Sequence, residues 1–221
     1  MIKTHRTFVI WAMALAVCVA LAGASLAIAG PKTKHMPGAE SATATVGELA
    51  PDFVLKDTDG KSHRLSDYTK QGKIVVLQWF NPECPFIKLH HEKQPTMADL
   101  QKSFKDKGVV ILSINSTHSG HANYGKDAEA KKNWKIDWPI LIDADGKVGH
   151  LYGAKTTPHM FVIDKDGKLR YAGAMDNDPR NEKSATDKKN YVRQALASII
   201  DGEKVETPET KPYGCSVKYK G

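Results

Sequence analysis

Apolar positions gather into two nearly unbroken runs, Ile74-Val75-Val76-Leu77-Gln78-Trp79-Phe80 and Val109-Val110-Ile111-Leu112-Ser113-Ile114. Short runs rich in β-branched and aromatic residues read as strands buried on both faces, expected side by side in a parallel sheet. Between them a helix is expected from about Pro85, and Pro95 inside it should kink or break it. Met97, Leu100 and Phe104 resume helical spacing until Lys107-Gly108 closes the element. Ahead of the first run, Phe53 and Leu55 alternate into the turn Asp57-Thr58-Asp59-Gly60, and Leu65 follows on a return strand. Past the second run come a polar helix over 128–135, a short strand over 139–143, and a helical stretch over 148–152. His159-Met160-Phe161-Val162-Ile163-Asp164 and Leu169-Arg170-Tyr171-Ala172 flank Lys165-Asp166-Gly167, a hairpin signal. The last helix puts Val192, Ala195, Leu196, Ile199 and Ile200 on one face and stops at Gly202. No internal repeat interrupts this order. Strand, helix, strand, then hairpin and helix make an α/β layered domain.

The first residues break that pattern. Lys3, His5 and Arg6 precede an uncharged apolar stretch over 8–29 that closes in Ala27-Ile28-Ala29, a small-x-small cleavage pattern. Residues 1–29 therefore read as a secretory signal, or, given the length of the stretch, as an N-terminal membrane anchor. Lipidation at Cys18 is the weaker option, because Leu15 stands where a small residue is expected. Either way the body of the protein works outside the cytoplasm, in the periplasm or its equivalent, touching membrane only through an uncleaved anchor. Residues 30–45, rich in Lys, Pro, Ala and Thr, read as a disordered tether. The domain is expected over 46–205 and a C-terminal tail over 206–221. The formal charge of +7 includes Lys3 and Arg6 of the leader. The remainder is a mild excess without a dense basic block, so nucleic acid is not an expected partner.

Once Cys18 is assigned to the leader, Cys84 and Cys215 are the thiols of the body. Two cysteines are too few for a disulfide-stapled scaffold, and a domain of this length does not need one. Cys84 stands in Asn81-Pro82-Glu83-Cys84-Pro85, directly after a buried strand and before a helix. At a helix start, unpaired N–H groups and the dipole favour thiolate over thiol, and the thiolate is the nucleophile. The competing reading is a structural core cysteine; a cysteine between two prolines at a helix start fits it poorly. Glu83 disfavours the thiolate by like charge, while Lys88, one turn on, favours it. The pair His90-His91 reads as solvated helix surface, and Trp79 as core.

These pieces, in order, resemble a thioredoxin-fold redoxin of the peroxiredoxin-like (alkyl hydroperoxide reductase/thiol-specific antioxidant) group. The opening hairpin resembles Val46-Gly47-Glu48-x-Ala50-Pro51-Asp52-Phe53 with Leu65-Ser66-Asp67-Tyr68. The redox turn resembles Phe80-Asn81-Pro82-Glu83-Cys84-Pro85. Thr156-Thr157-Pro158 resembles the cis-proline loop that faces the redox cysteine. The tail with Tyr213-Gly214-Cys215 resembles a feature of one bacterial subfamily. The resemblance implies a thioredoxin-like fold, a central mixed sheet flanked by helices, with an N-terminal β-hairpin extension. It also implies a thiol–disulfide oxidoreductase without a cofactor, acting on protein thiols and disulfides or a small peroxide, with a reducing thiol partner.

The departures bear on function. Thioredoxins carry two turn cysteines in Cys-x-x-Cys; here Asn81 holds the first place, so no disulfide forms within the turn. Peroxiredoxins carry Pro-x-x-x-Thr-x-x-Cys and an Arg that polarise the peroxide; here Leu77, Asn81 and Pro158 stand in those places. The charge that stabilises a leaving hydroxide is thus missing from its usual position, and peroxide reduction is expected to be weak or absent. Cys84 remains the attacking thiol and Cys215 the natural resolving thiol. Asn81 is expected to orient the thiolate and Pro158 to shape the partner-binding face. A binding protein is the alternative, either a copper-handling module in which Cys84 and His159 form a soft-metal pair suited to copper or zinc, or a non-catalytic redoxin.

Overall fold

The computed structural model describes residues 43–221. The leader, Cys18 and most of the tether lie outside the described residues. In chain order the strands are β1 Val54–Asp57, β2 Ser62–Arg64, β3 Ile74–Trp79, β4 Val109–Asn115, β5 Ile140–Ile142, β6 Thr156–Thr157, β7 Met160–Ile163, β8 Leu169–Gly173 and β9 Cys215–Ser216. The helices are α1 Leu65–Thr69, α2 Pro85–Lys88, α3 Thr96–Phe104, α4 Asp127–Asn133, α5 Lys147–Leu151 and α6 Tyr191–Ile200. Seven strands form one mixed sheet in the order β2-β1-β5-β4-β3-β7-β8. β3 and β4 run parallel in its centre with Val76 opposite Ile111, and β5 extends the parallel part beside β4. β7 returns antiparallel along β3, and the β1–β2 hairpin closes the far edge through β5.

Two runs that are apolar at all but one position each, Gln78 and Ser113, had to be covered on both faces, and they are. Val76, Phe80, Ile111, Met160 and Val162 face one core, with Leu100 of α3 and Leu196 of α6 over them. Val75, Leu77, Trp79, Leu112 and Phe161 face the other, beneath Phe53, Leu65 and Tyr152. Burying a side chain of this size stabilises by about 1.5–3 kcal/mol, so the central strands carry much of the fold.

The first hairpin departs from expectation at Leu65, which opens α1 instead of lying on the return strand. The reason is non-local: the Asp52 carboxylate accepts the Ser66 N–H at 2.9 Å and the Ser66 hydroxyl at 3.0 Å, capping a helix that its own sequence does not cap. Pro95 breaks the long helix as expected, but the part before it is one α-helical turn followed by a π-helical segment, Leu89–Lys93. Ahead of Val46, the Ala44 N–H donates to Leu151 O at 3.0 Å. No helix among the described residues is long and apolar enough to cross a membrane.

Candidate active site

Strand β3 delivers the redox turn. After Trp79 the chain keeps one more sheet bond, Phe80 N–H to Ile114 O at 2.8 Å, and then turns at Asn81. The Asn81 side-chain oxygen accepts the Glu83 N–H at 2.9 Å and its backbone oxygen accepts the Cys84 N–H at 3.0 Å. Its amide donates to the Thr117 hydroxyl at 3.4 Å. Asn81 therefore fixes the turn, and acts on Cys84 through the backbone. Cys84 is the N-cap of α2, with Pro85 at the first helical position, where a missing N–H costs nothing.

The Cys84 thiol is 2 % exposed and donates to Thr157 O at 2.9 Å. The Thr157-Pro158 peptide bond is cis. The backbone beside it is already paired: β6 lies antiparallel to β9, with Thr157 opposite Cys215. The tail thus lies along the partner-binding face that Pro158 was expected to shape, and Cys215 packs against the core that holds Cys84. The pairing of β6 with β9 involves two residues a side, too few to leave a periodic trace in the sequence.

The two thiols are unequal. Burial alone would raise the Cys84 thiol, and the Thr157 carbonyl repels a thiolate. Donors from the Cys215 thiol, the Thr157 hydroxyl and the Cys215 and Ile87 N–H groups outweigh both, so Cys84 lies below the ordinary thiol value. Cys215 is pushed up to about 11, first by burial and then by Cys84 itself. Of the two, Cys84 is the thiol that gives up its proton more readily. Lys88 contributes little, because it is partly exposed and lies 3.8 Å from Glu83, which also meets Lys126 at 3.5 Å.

The remaining residues singled out by sequence separate. Pro158 stands beside Cys84, as its neighbour Thr157 contacts the sulfur. His159 does not join them: its ring packs on Phe161 at 4.4 Å, on the opposite side of β7 from Met160 and the Cys84 core, and its Nδ1 accepts the Lys155 N–H. Among the described residues no group of three or more His, Cys, Asp or Glu side chains could hold a metal ion. The expectation of a solvated His90-His91 pair is wrong. His90 is fully buried beneath the tail, 2.9 Å from the Tyr213 hydroxyl. His91 is boxed by Trp134, Phe80 and Trp138. Helical spacing could not show this, because the covering groups come from the tail, from Phe80 after β3, and from Trp134 and Trp138 just past α4.

These histidines make stability fall in acid. Burial holds His90 and His159 at about 4 and His91 at about 3. An unfolded histidine titrates near 6.5, so below that pH the unfolded chain binds protons the fold refuses. Stability present above pH 6.5 is then lost as pH falls toward 4. His90 and His159 account for about 2 kcal/mol each at pH 5. Asp127 and Asp143, raised by burial, oppose the loss by taking protons in the folded state. Urea unfolding at pH 7.5 and pH 5.0 should show a clear drop in midpoint; equal midpoints would contradict the burial of these rings.

Comparison with known proteins agrees with this geometry. The AhpC/TSA family matches residues 46–172, so the tail with Cys215 lies beyond the matched span. The thiol-disulfide oxidoreductase ResA of Geobacillus thermodenitrificans is 37% identical over 131 residues, 59% of this chain and 70% of the relative. ResA of Bacillus subtilis is 34% identical over 123 residues, 56% of this chain and 64% of its own. Among solved structures, a hypothetical protein of Sinorhizobium meliloti superposes with a TM-score of 0.70 at 26% identity, covering 81% of this chain and 97% of its own. A putative thiol:disulfide interchange protein DsbE of Chlorobium tepidum gives 0.56 at 25% identity, covering 72% and 99%. Sheet order, the Cys84 turn, the cis-proline loop and a family match over more than half the sequence converge: the chain belongs to the AhpC/TSA family of thioredoxin-fold redoxins.

Proposed function

We propose that this protein is an exported thiol–disulfide oxidoreductase whose working pair is Cys84 and Cys215. The observation that carries the reading is the placement of a second free thiol, Cys215, opposite Thr157, the cis-proline-loop residue whose carbonyl accepts from the Cys84 thiol. The Cys84 thiolate attacks one sulfur of a partner disulfide; that bond breaks, and the leaving partner sulfur takes a proton. Cys215, losing its proton, then attacks Cys84 Sγ and releases the second partner thiol. The partner gains two electrons, and the protein is left with a Cys84–Cys215 disulfide for an external thiol reductant to reopen. Asn81 and Pro158 hold the turn and loop in which this happens. Export is supported by the leader pattern of residues 1–29. The copper-binding alternative would need His159 beside Cys84, and its imidazole lies across the strand.

Oxidation with diamide followed by mass spectrometry should yield a Cys84–Cys215 linked peptide and no free thiol in the body of the protein. Both cysteines remaining alkylatable would refute the pairing. Hydrogen peroxide should oxidise Cys84 no faster than it oxidises a free thiolate, since Leu77, Asn81 and Pro158 offer no cation to a leaving hydroxide. A stopped-flow rate matching that of a dedicated peroxidase would show that other residues polarise the peroxide.

A further inference from the structure

The tail is anchored on both sides of Cys215 by bonds that do not involve the thiols. Upstream, the Thr210 hydroxyl accepts the Ala174 N–H and bonds to the Tyr171 hydroxyl. Downstream, the Val217 N–H donates to Lys155 O and the Tyr219 hydroxyl to Ala154 O. Between those anchors, the side chain that makes the strongest polar contacts is Tyr213. Its hydroxyl donates to Asp176 Oδ1 at 2.6 Å and lies 2.9 Å from His90 Nε2.

The protons in this cluster have one consistent arrangement. With the phenol proton given to Asp176, the phenol oxygen accepts from Nε2–H of His90, and Nδ1 of His90 accepts from the Thr96 hydroxyl at 3.2 Å. Burial keeps His90 neutral and Tyr213 protonated, which preserves that arrangement through the neutral range. Asp176 is fully buried, and its Oδ2 has no hydrogen-bond partner, Lys188 Nζ standing 3.9 Å away. The Tyr213 ring rests on Phe86, two residues after Cys84, at 5.8 Å. Tyr213 thus joins the Cys84 helix, the π-helical segment and the loop after β8, two residues before Cys215.

We propose that Tyr213 is a positioning residue whose hydroxyl, clamped between Asp176 and His90, sets the register in which Cys215 meets Cys84 and so the rate at which their disulfide closes. The proposal rests on the Cys84–Cys215 reading. The partner-exchange step does not need the clamp; the closing step does. Loosening the middle of the tail while both anchors hold should therefore slow closure without slowing attack by Cys84.

A disulfide with a coloured leaving thiolate, 5,5′-dithiobis(2-nitrobenzoate), separates the two steps. Attack by Cys84 releases one thiolate and leaves a mixed disulfide; closure by Cys215 releases the second. Wild type should show two phases summing to two thiolates. Tyr213→Phe keeps the ring on Phe86 and removes the hydroxyl, so the second phase should slow by about ten- to a hundredfold while the first is unchanged or faster. His90→Phe, which leaves the tail sequence intact and removes one of the two partners, should slow the same phase by a smaller factor. Second phases at the wild-type rate in either folded variant would overturn the positioning role. Release of a single thiolate by wild type would instead overturn the Cys84–Cys215 pairing on which it rests.

Discussion

Cys84→Ser should abolish disulfide turnover, by a factor on the order of 10³ or more, because the alcohol cannot supply the thiolate that begins the exchange. Replacing Cys215 has a different signature. Cys215→Ser should still attack, and then stall as a mixed disulfide that mass spectrometry detects as an adduct on Cys84. It should also keep Cys84 acidic, since a serine hydroxyl can replace the thiol as a donor to Cys84. Cys215→Ala removes that donor, and the apparent pKa of Cys84 should rise by about one unit or more, as a hydrogen bond to a charged group is worth about 1.5–3 kcal/mol. The pH profile of iodoacetamide alkylation in the two Cys215 variants reads this difference. Equal Cys84 pKa values in both would mean that the backbone donors and the Thr157 hydroxyl alone hold the thiolate. An acidic Cys84 facing a Cys215 raised to about 11 gives the exchange a direction: the first thiol attacks, and the second acts only after the first is engaged.

How much of this was legible from residues alone depends on whether the determinant is local. Ile74–Trp79 and Val109–Asn115 carry burial on both faces in their own composition, and they sit side by side as expected. Gly108, with φ of 79°, and Pro95 end their helices where the sequence places them. Cys84 stood out because a strand, a turn and a prolyl helix start put a thiol at a helix N-terminus, which favoured the reactive reading over that of a core cysteine. What was hidden is set at long range. Leu65 becomes helical because Asp52 caps it from fourteen residues before Ser66. His90 is buried because Tyr213 covers it from 123 residues away. The meeting of Thr157 with Cys215 rests on two residue pairs with no periodicity to betray it. Tyr213-Gly214 was the one available signal, a bulky residue and a flexible one beside the last cysteine.

Gly214 allows the test with the largest structural consequence. Its φ is +134°, a conformation L side chains rarely adopt, and a Cβ built there would stand 2.1 Å from Thr157 O and 2.7 Å from its carbon. Those atoms belong to the loop that contacts Cys84 and cannot retreat without moving the sulfur's own acceptor. Gly214→Val should therefore lift the tail from β6 while leaving the two cores of the main sheet intact. Cys84, now 2 % exposed, should become open to reagents. Its alkylation at pH 7 should speed up by about tenfold or more, since access to a reactive thiol is part of its rate. Diamide should no longer yield the Cys84–Cys215 peptide as the main product. Gly202 supplies the control: it too has positive φ, +74°, but meets nothing within 4 Å. Gly202→Ala should cost about 1–2 kcal/mol for the left-handed backbone and leave Cys84 reactivity unchanged. If Gly214→Val kept wild-type alkylation and disulfide closure, the tail would not be the cover of the thiol. If Gly202→Ala exposed Cys84 equally, the effect would belong to general loosening. The expected contrast between them places the gate at one backbone contact, Gly214 against Thr157, where the chain passes too close to the cis-proline loop for any side chain.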